Sequence, residues 1–141
     1  MIVLDTNVLS EAMLPKPDER VLAWLAAQPP ASVFTTCITQ TEVLFGALCL
    51  AAGRRRIDLL AAIEGLFEED FAGRVSPFNG SAAKECARLA KDCRQSGRGL
   101  ALADAQIAAI AHSRGASMAT RNIKDFEACG IALINPWNQE L

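Results

Sequence analysis

The sequence lacks the residue patterns that several classes of protein require. His112 is its only histidine, and its five cysteines include no C-x-x-C pair. An odd number of cysteines with this spacing is typical of a reduced protein and does not indicate a disulfide framework or a zinc site. G-x-S-x-G, P-loop and G-x-G-x-x-G motifs are also missing, so nothing supports the hydrolases and nucleotide-binding proteins that those motifs define.

Long hydrophobic runs are missing as well, although hydrophobic residues make up 51% of the 141 residues. The longest run, residues 43–53, is too short to cross a bilayer. Asp5 interrupts the apolar amino terminus and no basic region precedes it, so we expect no signal peptide and a cytoplasmic protein without a membrane segment. The formal net charge of −2 argues against nucleic-acid binding by bulk charge, although a local basic patch stays open.

The first ten residues, MIVLDTNVLS, contain the strongest local pattern. The apolar run of Ile2, Val3 and Leu4 predicts a strand that is covered on both faces, as in parallel sheets. Asp5 follows where this strand ends, and the ligand crevice of an open α/β sheet lies outside the carboxyl ends of its strands. An Asp at this point can also cap the next helix, so these residues leave both roles of Asp5 open.

Strands and helices alternate along the rest of the chain. Further strands are predicted at residues 33–36, 75–78, 117–120 and 132–134, and helices at residues 7–13, 18–28, 39–52, 54–71, 82–95, 102–113 and 122–127. This alternation predicts an α/β protein in which a central parallel sheet of about four to five strands lies between layers of helices. Its length fits one domain.

Three acids stand at the ends of predicted elements. Asp5 ends the first strand, and Glu42 and Asp104 each lie in the first turn of a helix. Asn122 follows the fourth strand, with Asp125 three residues further on. Because the carboxyl ends of parallel strands and the starts of the following helices share one rim of the sheet, we expect Asp5, Glu42 and Asn122 to meet there. Asp104 joins them if its helix also starts at that rim. Carboxylates at close range repel one another, and protonation or a cation relieves the repulsion.

Oxygen ligands of this kind suit a hard cation such as Mg²⁺ or Mn²⁺. For each acid taken singly, a cap or a favourable contact with a helix dipole is the alternative. For Glu42 that alternative is specific, because Thr39 and Glu42 have the spacing of a capping box. Arg121 lies beside Asn122 at the same rim, where a phosphate contact and a structural salt bridge are both open.

Four stretches, in this order, resemble PIN-domain ribonucleases, and among them the FitB-like branch of the VapC-type toxins of bacterial toxin–antitoxin pairs. The stretches are M-I-V-L-D-T-N-V-L-S-E at the start, I-T-Q-T-E-V-L-F-G-A around Glu42, L-A-D-A-Q-I-A-A-I-A around Asp104, and A-T-R-N-I-K-D-F near the end. The resemblance covers essentially the whole chain. It implies a three-layer α/β/α fold in which residues 1–141 form a single PIN domain.

The resemblance also implies a Mg²⁺- or Mn²⁺-dependent ribonuclease that hydrolyses RNA phosphodiester bonds, with Asp5, Glu42 and Asp104 as catalytic residues and metal ligands. Many relatives have a fourth acid after the fourth strand. Here Asn122 stands at that place, and an asparagine offers a metal an oxygen but no charge. Whether Asn122 or Asp125 completes the site therefore stays open, as does the number of metal ions. Three supporting residues are implied by the resemblance: Thr6, Asn7 and Thr120.

The partners implied by the resemblance are an RNA substrate, a second copy of the chain and a VapB-like antitoxin, with contact to DNA only through the antitoxin. The carboxyl-terminal segment of such an antitoxin lies in an apolar groove and carries a basic side chain towards the acids. The candidates for the groove, for which ordinary core packing is the alternative, are Trp24, Leu25, Leu44, Phe45 and Phe67.

Two other functions are consistent with parts of the sequence. A non-catalytic PIN-like module that binds another protein would explain Asn122 and the low basic content. A different metal-dependent phosphohydrolase would need Asp5 as its nucleophile, but the D-T-N stretch lacks the second Asp of the D-x-D phosphatases. Binding of Mg²⁺ or Mn²⁺ at the acids separates the first alternative from the ribonuclease.

Overall fold

A parallel sheet of five strands organises the computed structural model, which describes residues 1–140. The strands are β1 (Ile2–Leu4), β2 (Val33–Thr36), β3 (Val75–Ser76), β4 (Ser117–Ala119) and β5 (Leu133–Ile134). Their order is β3-β2-β1-β4-β5, with Ile2 in register with Val33 on one side and with Ser117 on the other. The chain therefore builds the sheet outward from β1 in one direction and then crosses back to build the other half. The strand order reverses between β1 and β4, which is where open α/β sheets form their ligand crevice.

Seven α-helices within the described residues flank the sheet, as the alternation of elements predicts. They are α1 (Thr6–Ala12), α2 (Glu19–Ala27), α3 (Cys37–Leu48), α4 (Arg54–Gly65), α5 (Gly80–Gln95), α6 (Leu102–Ser113) and α7 (Ile123–Phe126). A π-helical turn, Leu66–Asp70, extends α4, and the 3-10 turns are Pro30–Ser32, Glu127–Cys129 and Pro136–Asn138. In residues 1–140 no helix has the length and apolar character needed to cross a bilayer.

Two hydrophobic cores lie on opposite faces of the sheet. Neighbouring residues of a strand point to opposite faces, and accordingly Val3 and Met118 pack into one core while Leu4 and Ala119 pack into the other. The first core is completed mainly by α5 and α6, and the second by α1 to α4. The predicted three-layer α/β/α architecture is therefore confirmed.

The start of α3 differs from the prediction. The helix begins at Cys37, and its N-cap is Thr36, whose hydroxyl oxygen accepts a hydrogen bond from the backbone N–H of Thr39 at 3.1 Å. The alternative role of Glu42 in a capping box with Thr39 is therefore excluded, and the prediction that Glu42 lies in the first turn is wrong, because it lies in the second. The physical reason is that β2 runs into α3 without a loop, so the last residue of the strand is already in the extended conformation that an N-cap needs.

Candidate active site

Asp5 lies at the carboxyl end of the central strand and is only 3% exposed. Its Oδ1 accepts a hydrogen bond from the backbone N–H of Thr6 at 2.8 Å, which makes Asp5 the N-cap of α1. Its Oδ2 accepts a hydrogen bond from the Thr120 hydroxyl, also at 2.8 Å. Both carboxylate oxygens are thus held by residues that follow β1 and β4, and the capping role of Asp5 is confirmed.

The environment of Asp5 disfavours its charge. Burial is the largest cause, and it raises the pKa of Asp5 from 3.8 to about 6. The hydrogen bonds from Thr120 and Thr6 lower the pKa, whereas the charges of Asp104 and Glu42 raise it. Two further acids therefore act on Asp5 through space, as expected from the shared rim of the sheet.

Glu42 is connected to the end of β1 by a series of hydroxyl groups. The Thr6 hydroxyl donates to Glu42 Oε1 at 2.8 Å and lies 3.0 Å from the Thr39 hydroxyl. Because the single hydroxyl hydrogen of Thr6 is used on Glu42, the Thr39 hydroxyl is the donor to Thr6. Thr6 thus links α1 to α3, and it fixes one oxygen of Glu42 beside the site.

Asp104 is half-buried in the first turn of α6, where the sequence predicts it. The N-cap of that helix is Ala101, which makes no side-chain capping bond, so Asp104 does not act as the cap. Burial, followed by the charges of Glu42 and Asp125, raises the pKa of Asp104. Asp125 is a residue of α7, and its effect on Asp104 brings a fourth carboxylate into the electrostatics of the site.

The segment after β4 is held by backbone contacts. The Thr120 hydroxyl accepts a hydrogen bond from the backbone N–H of Asn122 at 3.0 Å, and Asn7 Oδ1 accepts one from the N–H of Arg121 at 3.4 Å. The exposed Asn122 precedes α7 without making a side-chain capping bond. Of the two roles left open for Arg121, the salt bridge is absent from the described residues, and its guanidinium lies 5.0 Å from the centre of the Trp137 ring instead.

The ligand atoms of this site suit a divalent cation, whereas the present arrangement of its side chains does not. Asp5, Glu42 and Asp104 offer only oxygen ligands, and within residues 1–140 none of them forms a salt bridge that would neutralise it. As the side chains stand, however, no group of three His, Cys, Asp or Glu residues in this part of the chain is arranged to hold a metal ion. Coordination by all three carboxylates would therefore require side-chain rotation.

An apolar groove with a volume of about 460 Å³ begins at Glu42 and runs between α1, α3 and α4. Its lining residues are Ser10, Met13, Leu14, Pro15, Glu42, Val43, Gly46, Ala47, Arg55, Leu59 and Ile63. None of the five residues suggested for a groove is among them. Trp24 and Phe67 are core residues, and Phe45 is 68% exposed outside the groove. Leu25 and Leu44 pack against the second core, so core packing, the alternative given for these residues, holds for all of them except Phe45.

Comparison with known proteins identifies the family. The model of the PIN domain matches residues 2–130, so the chain belongs to the PIN-domain family. VapC ribonuclease Y4jK of Sinorhizobium fredii (strain NBRC 101917 / NGR234) is 42% identical over 137 residues, which are 97% of this chain and 98% of that protein. Toxin FitB of Neisseria gonorrhoeae (strain ATCC 700825 / FA 1090) is 37% identical over 138 residues, which are 98% and 99% of the two chains. Within the family, the chain is placed with the VapC and FitB toxins, and the resemblance seen in the sequence is confirmed.

Solved structures agree with this placement. The crystal structure of FitAcB from Neisseria gonorrhoeae matches with a TM-score of 0.89 and 36% identity, over 99% of this chain and 100% of that one. A structure of FitAB bound to an IR36 DNA fragment matches with a TM-score of 0.93 and 37% identity, over 100% and 99% of the two chains. The whole fold is thus shared with these proteins, including the elements that carry the four carboxylates.

Proposed function

We propose that this protein is a metal-dependent endoribonuclease that acts as the toxin of a toxin–antitoxin pair. The observation that carries the proposal is the group formed by Asp5, Glu42 and Asp104. Besides burial, which is the largest cause, the charges of Asp104 and Glu42 raise the pKa of Asp5, and the charge of Glu42 raises that of Asp104. The three acids lie at the point where the strand order reverses, and they have no cationic partner in the described part of the chain. Repulsion of this kind is relieved when a cation binds.

Asp5, Glu42 and Asp104 would hold Mg²⁺ or Mn²⁺. When bound, the cation would polarise a phosphoryl oxygen and lower the pKa of a water molecule for in-line attack on an RNA phosphodiester. Thr6 and Thr120 keep Asp5 in one orientation, since each donates a hydrogen bond to a different oxygen of its carboxylate. Single-stranded or looped RNA suits the site, because its backbone can be drawn into a crevice.

We propose that Asn122 and Asp125 together take the role of a fourth acid in the site. Asn122 remains our prediction for the place after β4, where its backbone N–H is bound to Thr120. Asp125 supplies the negative charge that Asn122 lacks, which is supported by its effect on the pKa of Asp104. The carboxylate of Asp125 would attract a cation to the site without having to contact it.

The proposed partner is a VapB-like antitoxin whose carboxyl-terminal segment occupies the apolar groove. The groove is large enough for several side chains, and Glu42 at its end would attract a basic side chain of that segment. The apolar side chains of Phe45, Leu48 and Ile57 are exposed in the single chain. Exposed apolar residues of this kind indicate an interface with another protein, and we propose that a second copy of the chain covers them. Contact with DNA is proposed to occur only through the antitoxin.

Cleavage of RNA by the purified protein, free of antitoxin, tests the proposal. The assay is run with Mg²⁺ or Mn²⁺ and with EDTA, and it includes Asp5→Asn. The matched control is Asp58→Asn, which removes an exposed carboxylate whose nearest cation, Arg54, is 4.0 Å away on the surface of α4. We expect metal-dependent cleavage by the wild type and by Asp58→Asn, and none by Asp5→Asn.

The second candidate function is a non-catalytic binding module, which is favoured by the lack of a preformed three-residue metal group in residues 1–140. The cleavage assay also separates this candidate from the ribonuclease. Titration calorimetry with Mn²⁺ gives the second measurement. A folded wild-type protein that binds no Mn²⁺ and cleaves no RNA would support the binding module. Metal-dependent cleavage by repurified Asp5→Asn at the rate of the wild type would refute the assignment of the site, whereas cleavage that is lost on repurification would be due to a contaminating nuclease.

A further inference from the structure

A second, smaller pocket adjoins the apolar groove, because Ser10 and Leu14 line both cavities. It has a volume of about 230 Å³ and is lined by Asn7, Ser10, Glu11, Leu14, Arg121 and Trp137. The pocket combines a cation, an aromatic ring, a carboxylate and an apolar residue. The groove beside Glu42 differs in that no aromatic side chain lines it.

Arg121 is the exposed wall of this pocket and is held in place from two sides. Its guanidinium lies over the Trp137 ring, with Cζ 5.0 Å from the ring centre, and its backbone N–H donates to Asn7 Oδ1 at 3.4 Å. The Trp137 ring is only 5% exposed, and its Nε1 donates to Glu11 Oε1 at 3.3 Å. The ring is therefore a fixed support, and the guanidinium is the layer that lies on it.

The free face of this guanidinium is available to a ligand. Arg121 is exposed and makes no salt bridge within residues 1–140, so its charge is not neutralised by a neighbouring acid there. A planar cation supported on an aromatic ring is a surface on which an unpaired base of single-stranded RNA can stack. Lysine offers the same charge without the plane.

The pocket adjoins the carboxylates on both of its sides. Arg121 directly follows Thr120, whose hydroxyl donates to Asp5. Asn7 directly follows Thr6, whose hydroxyl donates to Glu42. A nucleotide whose phosphate reaches these carboxylates would therefore bring an adjacent base to the pocket.

From this geometry we infer that the pocket is a subsite for one nucleobase of the RNA, which stacks on the Arg121 guanidinium supported by Trp137. The inference rests on the proposed ribonuclease function and extends it by naming the residues that contact a base. Stacking tolerates any base, because every base has a flat π face. The subsite would thus contribute affinity for single-stranded RNA without selecting one base.

Binding of defined RNA strands tests this subsite. The probes are a fluorescein-labelled single-stranded RNA of twelve adenosines and the same strand with all twelve bases removed. Affinities are measured by fluorescence anisotropy in EDTA for the wild type, Arg121→Lys and Arg54→Lys. Arg54 is the matched control, since its side chain is 85% exposed on α4. Cleavage of RNA with Mg²⁺ is measured on the same preparations.

We expect the wild type and Arg54→Lys to bind the intact strand at least about fivefold more tightly than the fully abasic strand, which is the low end for one stacked base. Arg121→Lys should reduce this ratio to below about twofold. Wild-type protein that cleaves RNA but binds intact and abasic strands equally would overturn the subsite alone. The same holds if Arg121→Lys weakens both strands by one factor, since that is a phosphate contact. Absence of both cleavage and binding would overturn the ribonuclease and the subsite together.

Discussion

Replacing Asp5 by asparagine should stabilise the metal-free protein while it removes activity. A carboxyl group whose pKa rises from 3.8 to about 6 on folding opposes the folded state at neutral pH by about 3 kcal/mol. Asparagine carries no charge and is nearly isosteric, so it removes this cost. It keeps one acceptor for the Thr6 N–H, and its amide can donate to the Thr120 hydroxyl in place of the bond that it loses. Imperfect replacement of that bond costs about 1 kcal/mol, which leaves an expected gain of about 1–3 kcal/mol.

The stability difference between Asp5→Asn and the wild type should depend on pH. Because the folded-state pKa of Asp5 is raised, the folded protein binds more protons than the unfolded chain between about pH 4 and pH 6. The contribution of Asp5 to stability therefore falls as the pH rises through this window. Asp5→Asn lacks this contribution, so its advantage over the wild type should be largest above pH 6 and should disappear near pH 4.

Urea unfolding in EDTA at pH 7.5 and at pH 4.5, followed by circular dichroism, measures both effects. In a thermal scan at pH 7.5, each kcal/mol should raise the melting temperature of Asp5→Asn by about 4 °C. Asp58→Asn at an exposed position is the control for the amide substitution itself. The reasoning would be refuted by an Asp5→Asn protein that is no more stable than the wild type at pH 7.5. Adding Mn²⁺ should reverse the order, since a ligand stabilises only the protein that binds it.

Three further outcomes follow from the contacts of the site. Thr120→Val removes the hydrogen bond to Asp5 and leaves the Asn122 N–H without its acceptor. It should therefore raise the pKa of Asp5 further, as measured by NMR titration, and destabilise the protein by about 1–3 kcal/mol, as measured by urea unfolding. Asp125→Asn should weaken Mn²⁺ binding in calorimetry more than Asn122→Ala does, and equal effects would contradict a role for the charge of Asp125. Gly46→Leu should block capture of a co-expressed antitoxin in a pull-down without loss of cleavage, since a side chain added at Gly46 meets open space in the apolar groove.

Local sequence signals were sufficient for most of the fold. The strand at residues 33–36 and the helix at residues 102–113 have the predicted bounds, because β-rich residues and apolar periodicity act over a few neighbouring positions. The capping of α1 by Asp5 was one of two open roles, and it too depends on adjacent residues. The start of α3 was missed because Thr36 and Thr39 are chemically equal as caps, and only the direct passage from β2 into the helix selects Thr36.

Contacts between distant residues were not available from local patterns. The second hydrogen bond of Asp5 comes from Thr120, which lies 115 positions away and reaches it because β1 and β4 are neighbours in the sheet. Thr6 meets Glu42 across 36 positions for a similar reason, since α1 and α3 pack together on the same face. The sequence resemblance named these residues as a group, but their hydrogen bonds are a property of the strand order.

The sequence by itself determined the family, the order of the elements and the residues that can carry charge at the rim of the sheet. Tertiary structure alone decided which apolar residues line the groove and which are core, because the apolar residues of α3 are spread around the helix and do not mark one buried face. It also decided that Arg121 rests on Trp137 instead of pairing with an acid. The chemistry of each side chain follows from the residue itself, whereas the partner that it contacts is determined by how the sheet and its helices pack.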